Sequence, residues 1–413
     1  MQVHLIKDVQ VVRQINRAAV LELLRREGPM PRTAIARATK LTPPTCFSIV
    51  EELVASDLAR CVAQSRPSTG RPRAIFQFNP SAAYSLGVDL SGASLVGVLI
   101  DLSARVLETR RMPRPNPPEV SAVTQWIASF AQEMRSSPAI DPSKLAGLGV
   151  AIPALLETNS GHVITSTNLN WHDVPFARLL EDAVGASVYL ENTPRAIALG
   201  ERWFGAGRGA EHLICIDIGM GIGMGLIVDG KLYMGDDGQS GELGHTTVVP
   251  GGAPCRCGGR GCLEAEAAGG AILRNTVDAL RRGAQSSLAE RDGGDPDRVT
   301  LDMVVNAADE GDPLASNVVR SAGQLIGSAV KNAVTLLNPT VVVLSGSLIH
   351  SSQLLFETVR AVVENRALPP LHRVSAMPVV RAQLGSLAGA VGAAGLVHQR
   401  RMGLYDGAKV VAC

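Results

Sequence analysis

One short loop places four metal-binding side chains close together, and it constrains the fold more than any other feature of the chain. His245, Cys255, Cys257 and Cys262 are spaced as H-x9-C-x-C-x4-C within GELGHTTVVPGGAPCRCGGRGC. One imidazole and three thiolates form the ligand set of a closed tetrahedral zinc site, and four protein ligands leave no position open for catalysis. The alternative is unliganded cysteines, but this glycine- and arginine-rich loop is not apolar enough to bury thiols without a metal. We therefore expect one structural Zn²⁺ per chain.

Length and composition predict a multidomain cytoplasmic protein. A chain of 413 residues is too long for one ordinary domain. It has no apolar run of the roughly 18 residues needed to span a bilayer, and its start is too polar for a signal peptide. The cysteines outside the loop are scattered singly, which suits a reducing compartment without disulfides. We expect no membrane partner.

Charge is unevenly distributed along the chain. Residues 1–80 carry 12 Lys plus Arg and 6 Asp plus Glu, a net charge of +6, whereas the remaining residues carry 27 and 32, a net charge of −5. A basic head on a mildly acidic body indicates that only the head meets a polyanion. The alternative is a chance surplus of solvated arginines.

The head has the pattern of a winged helix-turn-helix. Helical spacing of apolar residues predicts helices over 16–26 and 32–39, and a third helix beginning after the N-cap Thr42. Strand-like segments at 58–62 and 74–78 flank the polar loop QSRPSTGRPR and predict a wing. The third helix would enter the major groove of DNA. A structural or protein-docking head is the alternative.

Several head residues are candidate DNA contacts. Serine and threonine hydroxyls can bond base edges or phosphates, an apolar ring can touch a thymine methyl, and wing arginines can enter a narrow A·T-rich minor groove. The candidates are Arg32, Thr42, Pro44, Thr45, Phe47, Ser48, Arg71 and Arg73.

After residue 80, strands alternate with helices, which predicts an α/β body. Two similar strand-turn-strand openings, near residues 86 and 213, indicate a duplicated fold with a cleft between two lobes. The second opening contains the glycine-rich turn DIGMGIGMG, whose backbone can approach a phosphate or a sugar closely.

Nearly the whole chain resembles the ROK family of repressors, open reading frames and kinases. The stretch 218–245, ending in GELGH, is similar to the family's glycine-rich signature, the cysteine loop matches in full, and the head resembles that of the repressor branch. The resemblance implies an actin- and hexokinase-like (ribonuclease H-like) domain of two lobes. We expect a winged helix-turn-helix at 1–80, a first lobe at 81–200 completed by a helix at 385–400, and a second lobe at 201–384 with a dimerisation surface.

The chain departs from the kinases of this family at three positions. Kinases carry an aspartate general base in a stretch resembling ENDANAAALGE, and this chain has Thr193 there. A threonine hydroxyl cannot accept a proton near neutral pH. The first phosphate loop, 89–93, lacks a glycine and a threonine, and the turn 344–347 is poorer in glycine. We expect no kinase activity; the alternative is a bifunctional sugar kinase using Asp89 or Asp217 as a substitute acid.

The resemblance implies that the residues that hold sugar hydroxyls in the family are retained in this chain. They are Asn192, Glu242, His245 and Glu264. His245 would place one ring nitrogen on zinc and the other toward the sugar. Asn168 and Trp171 are further candidates for the same pocket.

The resemblance therefore implies a sugar-responsive, DNA-binding transcriptional regulator. We expect a homodimer or tetramer that represses genes of carbohydrate uptake or catabolism on operator DNA and is released by a sugar or sugar phosphate. A protein partner acting as the signal, with a vestigial pocket, stays open as another alternative.

Overall fold

The computed structural model describes residues 9–65, 73–157, 160–289, 295–365 and 377–402. The contacts divide the chain into two compact units. The first unit comprises the described parts of Met1–Val150, Phe176–Leu190 and Ala393–Cys413, and the second comprises those of Ala151–Pro175 and Glu191–Gly392. No helix among the described residues is long and apolar enough to cross a membrane.

The head lies in the first unit and has the predicted helices and wing strands. Its elements are α1 (Val9–Glu27), β1 (Met30–Pro31), α2 (Arg32–Thr39), α3 (Pro43–Ala55), β2 (Ala59–Ser65) and β3 (Arg73–Phe78). The bounds predicted for α2 are correct, whereas α1 begins seven residues earlier than predicted. The short strand β1 was not predicted; it pairs with β3 in a sheet of order β1-β3-β2. Buried residues of α3, including Ile49, Val50 and Leu53, anchor that helix in the head's core.

The remainder of the first unit is built on a five-stranded sheet of order β11-β7-β4-β5-β6. Its elements are β4 (Tyr84–Asp89), β5 (Ser94–Asp101), β6 (Val106–Pro113), α4 (Val120–Arg135), β7 (Leu145–Ile152), α5 (Phe176–Val184) and β11 (Val188–Asn192). The C-terminal helix α13 (Ala388–Met402) contacts this sheet at Gly149, where a Cβ would lie 1.9 Å from the carbonyl oxygen of Ala393. Glycine at this position permits the close approach of helix and strand.

The second unit has its own five-stranded sheet, of order β14-β13-β12-β15-β16. β12 pairs antiparallel with β13 and parallel with β15, as expected for a strand-turn-strand opening followed by helical crossovers. Its strands are β12 (Leu213–Ile218), β13 (Ile222–Val228), β14 (Lys231–Leu232), β15 (Val341–Ser345) and β16 (Val379–Arg381). A separate sheet contains β8 (Leu155–Glu157), β9 (His162–Ser166) and β10 (Trp171–Val174).

The helices of the second unit bury the sheet's apolar core. They are α6 (Thr193–Phe204), α7 (Leu263–Ala267), α8 (Gly269–Arg281), α9 (Leu301–Asp309), α10 (Pro313–Leu337), α11 (Ser347–Ser351) and α12 (Gln353–Glu364). The observed division of the chain differs from the lobe boundaries expected from the sequence, because 151–175 and 191–200 belong to the second unit.

Candidate functional site

The four ligand candidates of the cysteine loop converge in the second unit. The ligand atoms of His245, Cys255, Cys257 and Cys262 all lie within 4.8 Å of one another. His245 Nδ1 is 3.6 Å from Cys255 Sγ, and the Sγ atoms of Cys257 and Cys262 are 3.7 Å apart. A tetrahedral ion with a Zn–S distance of about 2.3 Å and a Zn–N distance of about 2.0 Å separates its ligand atoms by roughly 3.5–3.8 Å. The cluster therefore fits an ion of this size and preference.

Backbone contacts give the loop its shape. Two isolated bridges close it, Thr247 with Cys262 and Pro254 with Arg260. Gly261 has a φ of +70°, and a Cβ there would lie 1.6 Å from the carbonyl oxygen of Val249, so no other residue fits. These backbone contacts therefore help to bring the four ligand residues of the loop together.

The loop also shifts the pKa values of two of its thiols in opposite directions. A backbone hydrogen bond from Gly259 lowers the pKa of Cys257 to about 7. Burial, reinforced by the neighbouring thiols, raises the pKa of Cys262 to about 12. Cys257 thus forms a thiolate more readily than Cys262, and a bound cation would favour the thiolate form of both.

His245 links the cysteine loop to a carboxylate. Its Nδ1 faces Cys255, and its Nε2 lies 3.8 Å from Glu242 Oε2. Glu242 precedes the 3₁₀ turn Leu243–His245 and has an exposed side chain. Gly241, at a φ of +94°, sets up this turn, since a Cβ would lie 2.2 Å from the carbonyl oxygen of Met224. A metal on Nδ1 would fix the imidazole and leave Nε2 beside the carboxylate.

Strand β13 brings Glu264 and the start of α6 to the same region. Glu264 Oε2 accepts a hydrogen bond from the backbone N–H of Ile222 at 3.1 Å. Alternate glycines then admit α6, because a Cβ on Gly223 would lie 2.3 Å from Pro194, and one on Gly225 would lie 2.4 Å from Ala198. The glycines of the strand thus allow the first turns of α6 to pack closely on β13.

Asn192 is held at that beginning. It is the N-cap residue of α6, and its Nδ2 donates to the carbonyl oxygen of Ala154 at 3.0 Å. Gly244 packs against the other side of β13, with its Cβ position 2.1 Å from the carbonyl oxygen of Ile222. The predicted sugar-binding residues therefore all lie on segments that contact the first residues of β13. They are Asn192, Glu242, His245 and Glu264.

Of the two further candidates, Trp171 is buried in β10 and Asn168 is exposed.

Thr193 is fully buried at the first position of α6. Its Oγ1 has no hydrogen-bond partner among the described residues. Next to it, Glu191 Oε1 accepts from Arg195 Nε at 2.8 Å, and both side chains are at most 4% exposed. Arg195 also donates to the carbonyl oxygen of Gly238. This buried ion pair was not predicted from the sequence, although its i,i+4 spacing is a usable signal.

Asp89, the retained acid of the first phosphate loop, lies in the first unit. It is buried, and its Oδ1 accepts from the backbone N–H of Ser91 at 2.8 Å. Burial raises the pKa of Asp89 above its ordinary value.

In the head, the candidate DNA contacts fall into two groups. Thr42, Pro44 and Thr45 are exposed at the start of α3, where the hydroxyls of Thr42 and Thr45 are 2.9 Å apart. Phe47 and Ser48 are partly exposed, and Ser48 Oγ accepts from Arg13 Nη2 at 3.0 Å. Arg71 and the side chain of Arg73 lie outside the described residues.

Arg32 is engaged within the head. Its guanidinium lies over the rings of Phe47, at 5.6 Å, and Phe76, at 4.7 Å. It also approaches Glu51 at 3.4 Å. The side chain predicted to contact DNA thus packs against a second candidate, Phe47.

Two family models match the chain: the ROK family over residues 85–400 and a winged helix-turn-helix DNA-binding domain over residues 14–60. The DNA-binding transcriptional dual regulator NagC of Escherichia coli is 30% identical over 402 residues, which covers 95% of each chain. The crystal structure of a ROK family transcriptional regulator, a homologue of the E. coli MLC protein, is 26% identical with a TM-score of 0.80 and covers 97% of this chain and 98% of its own.

A glucokinase from Streptomyces griseus, solved with glucose and AMPPNP, is 28% identical with a TM-score of 0.68. All of that glucokinase is covered, but only 77% of this chain, about the share that the ROK family model matches. The two regulators, by contrast, are similar to this chain over nearly its full length.

Proposed function

The chain belongs to the ROK family, and on that premise we propose that it is a sugar-responsive DNA-binding transcriptional regulator. It represses genes of carbohydrate uptake or catabolism and is released from its operator by a sugar or sugar phosphate. The observation that carries the proposal is the presence, in one chain, of both a winged helix-turn-helix and a ROK domain. Full-length similarity to NagC and to the MLC homologue supports it.

The effector pocket is assigned to the residues around β13. Asn192, Glu242, His245 and Glu264 offer one amide, two carboxylates and an imidazole, which suit the hydroxyl groups of a sugar and would be left unpaired by ligands that lack them. His245, Cys255, Cys257 and Cys262 would hold a structural Zn²⁺, which supplies a fixed orientation of the His245 ring. The pocket's geometry would then depend on the metal.

The same region supports the absence of kinase activity. The resemblance implies that Thr193 takes the place of the aspartate of the family's kinases, and a buried hydroxyl cannot act as a general base near neutral pH. Losing such a base costs about 10²–10⁴-fold in rate. The competing function is that of a bifunctional sugar kinase, which the similarity to the Streptomyces griseus glucokinase favours.

DNA binding is assigned to residues 1–80. Thr42, Pro44, Thr45, Phe47 and Ser48 would face the major groove at the start of α3, and Arg71 and Arg73 would follow in the wing. Arg32 would act by holding Phe47 in place. A homodimer would present two such heads to the half-sites of an operator.

The test has two arms on the full-length, zinc-loaded protein. Selection from random duplexes should yield a specific operator, and a thermal-shift screen of sugars and sugar phosphates should yield at least one stabilising ligand. Incubation with ATP and that ligand should give no phosphorylated product beyond a minus-protein control. Turnover of ATP with a hexose would establish the bifunctional kinase, and failure to select any duplex would reject the proposal.

A further inference from the structure

The recognition helix has an unusual set of side chains. From Pro43 to Ala55 it reads PPTCFSIVEELVA and contains no arginine, lysine, histidine, asparagine or glutamine. Arginine and lysine read guanine, and asparagine and glutamine read adenine, through paired hydrogen bonds at the base edges. Helix α3 therefore lacks every side chain that makes such contacts with purines.

Its two acidic side chains are already engaged. Glu51 forms an ion pair with Arg32 at 3.4 Å, and Glu52 forms one with Arg13. Arg13 also donates to Ser48, so this hydroxyl is partly occupied from the side of α1. A glutamate that reads cytosine must accept from the base, and here each carboxylate is already paired with an arginine of the head.

The helix start also offers little to phosphates. Helix N-termini bind phosphate through backbone N–H groups, but Pro43 and Pro44 occupy the first two positions and have none. Their rings are exposed instead. Apart from the hydroxyls of Thr42 and Thr45, which lie 2.9 Å from each other, the first turn of α3 thus presents the apolar rings of two prolines.

The structure fixes one aromatic ring beside this surface. Phe47 lies one turn after Pro44, so the two side chains share a face of the helix. The Arg32 guanidinium, packed between the rings of Phe47 and Phe76, restrains Phe47 while its side chain stays partly exposed. A restrained, half-exposed ring loses little entropy when it contacts a ligand.

From these observations we propose that α3 reads thymine methyl groups in the major groove, through Phe47 and Pro44. The inference rests on the proposed function, because it specifies the chemistry of the operator that the head binds. The thymine C5-methyl is the apolar group that base pairs display in the major groove, and apolar side chains recognise it. Each half-site should therefore contain one or two thymines whose methyl groups, rather than any purine edge, determine affinity at α3.

The experiment replaces thymine by deoxyuridine, which removes the methyl group and keeps the base pair. The operator is first selected from random duplexes with the full-length protein, and its thymines are then replaced one at a time. Fluorescence anisotropy at fixed salt should show a loss of about four-fold in affinity at each contacted position, the value expected for one buried methyl group. Equal affinity for the thymine and deoxyuridine operators at every position would overturn the inference.

Protein variants then identify the reader. Phe47→Ala should abolish the difference between thymine and deoxyuridine at its position, whereas Phe47→Leu should keep part of it. Val54→Ala, at an exposed apolar position near the other end of α3, is the matched control and should keep all of it. If Phe47→Ala weakened both duplexes equally and left the difference intact, Phe47 would not be the reader.

The deoxyuridine series uses the wild-type protein, so it tests the inference even if Phe47→Ala folds poorly. Failure to select an operator would count against the proposed function instead.

Discussion

Lys144 donates a hydrogen bond to the Asp57 carboxylate at 2.7 Å and so joins the end of the recognition helix to the ROK sheet of the first unit. Asp57 follows α3 with a φ of +59°, and Asn79 Nδ2 donates to its carbonyl oxygen at 2.8 Å. Lys144 ends the 3₁₀ turn that leads into β7. Asp57, two residues after the end of α3, is therefore bonded both to Asn79 at the end of the wing and to Lys144 of the body.

This ion pair predicts a pH dependence. The hydrogen bond from Lys144 lowers the pKa of Asp57 below its ordinary value of about 3.9. Its stabilisation is thus present above pH about 4 and is lost as the pH falls through the folded-state pKa. Asp57→Asn, which tolerates the positive φ, should reduce the free energy of unfolding at pH 7 and have progressively less effect below pH 4.

Urea unfolding of both proteins across this pH range measures the difference. The Asp57 side chain is exposed and that of Lys144 is partly exposed, so the effect should be small. Lys144→Met should remove the larger part of the pH-dependent difference between Asp57 and its asparagine variant, and the rest should remain because Asn79 Nδ2 also donates to the carboxylate. A difference that stayed constant across the pH range would contradict the role of the ion pair.

Gly221→Ala should weaken sugar binding and spare DNA binding. A Cβ at Gly221 would lie 2.6 Å from Glu264 Oε2, and this flexible carboxylate can move away at little cost to stability. Its displacement should cost about ten-fold or more in sugar affinity, the effect of losing a hydrogen bond to a charged group. Calorimetry with the effector checks this, and Gly270→Ala, which meets nothing closer than 3.9 Å, is the control. Unchanged affinity in Gly221→Ala would place the sugar away from Glu264.

Much of the fold was predictable because local signals and tertiary packing agree in it. The α2 segment matches its predicted bounds. The hairpin β9–β10 was missed because its mixed polar residues give no clean period of two. The engagement of Arg32 with Phe76 was equally invisible, since 44 residues separate them and only the wing brings them together.

Gly149→Ala should destabilise the protein strongly. Its Cβ would lie 1.9 Å from the backbone of Ala393 in α13, and backbone cannot move as a side chain can. Overpacking of this kind costs about 1–3 kcal/mol or more. Thermal unfolding checks it against Gly92→Ala in the same unit, where the new Cβ makes only an ordinary contact at 3.5 Å. Equal melting temperatures would refute the close packing of α13 on β7.

Removing the metal should abolish the sugar response. Cys257→Ser should lose the bound zinc, measured by elemental analysis, because a serine hydroxyl does not replace a thiolate ligand. The His245 ring would then lose its anchor and with it the orientation of Nε2 beside Glu242. Cys61→Ser, an exposed cysteine on β2 outside the cluster, is the matched control and should retain the zinc. Normal sugar binding by a metal-free variant would show that the sugar pocket does not depend on the metal held by the cysteine loop.

The central claim is that sugar binding in the ROK domain controls DNA binding by the head. Operator affinity, measured by fluorescence anisotropy while the effector is titrated, tests it most directly. We predict that the effector weakens operator binding by wild-type protein about ten-fold or more, and that Glu242→Ala binds the operator normally without responding. Operator affinity that stays constant at effector concentrations shown by calorimetry to saturate the protein would contradict the account.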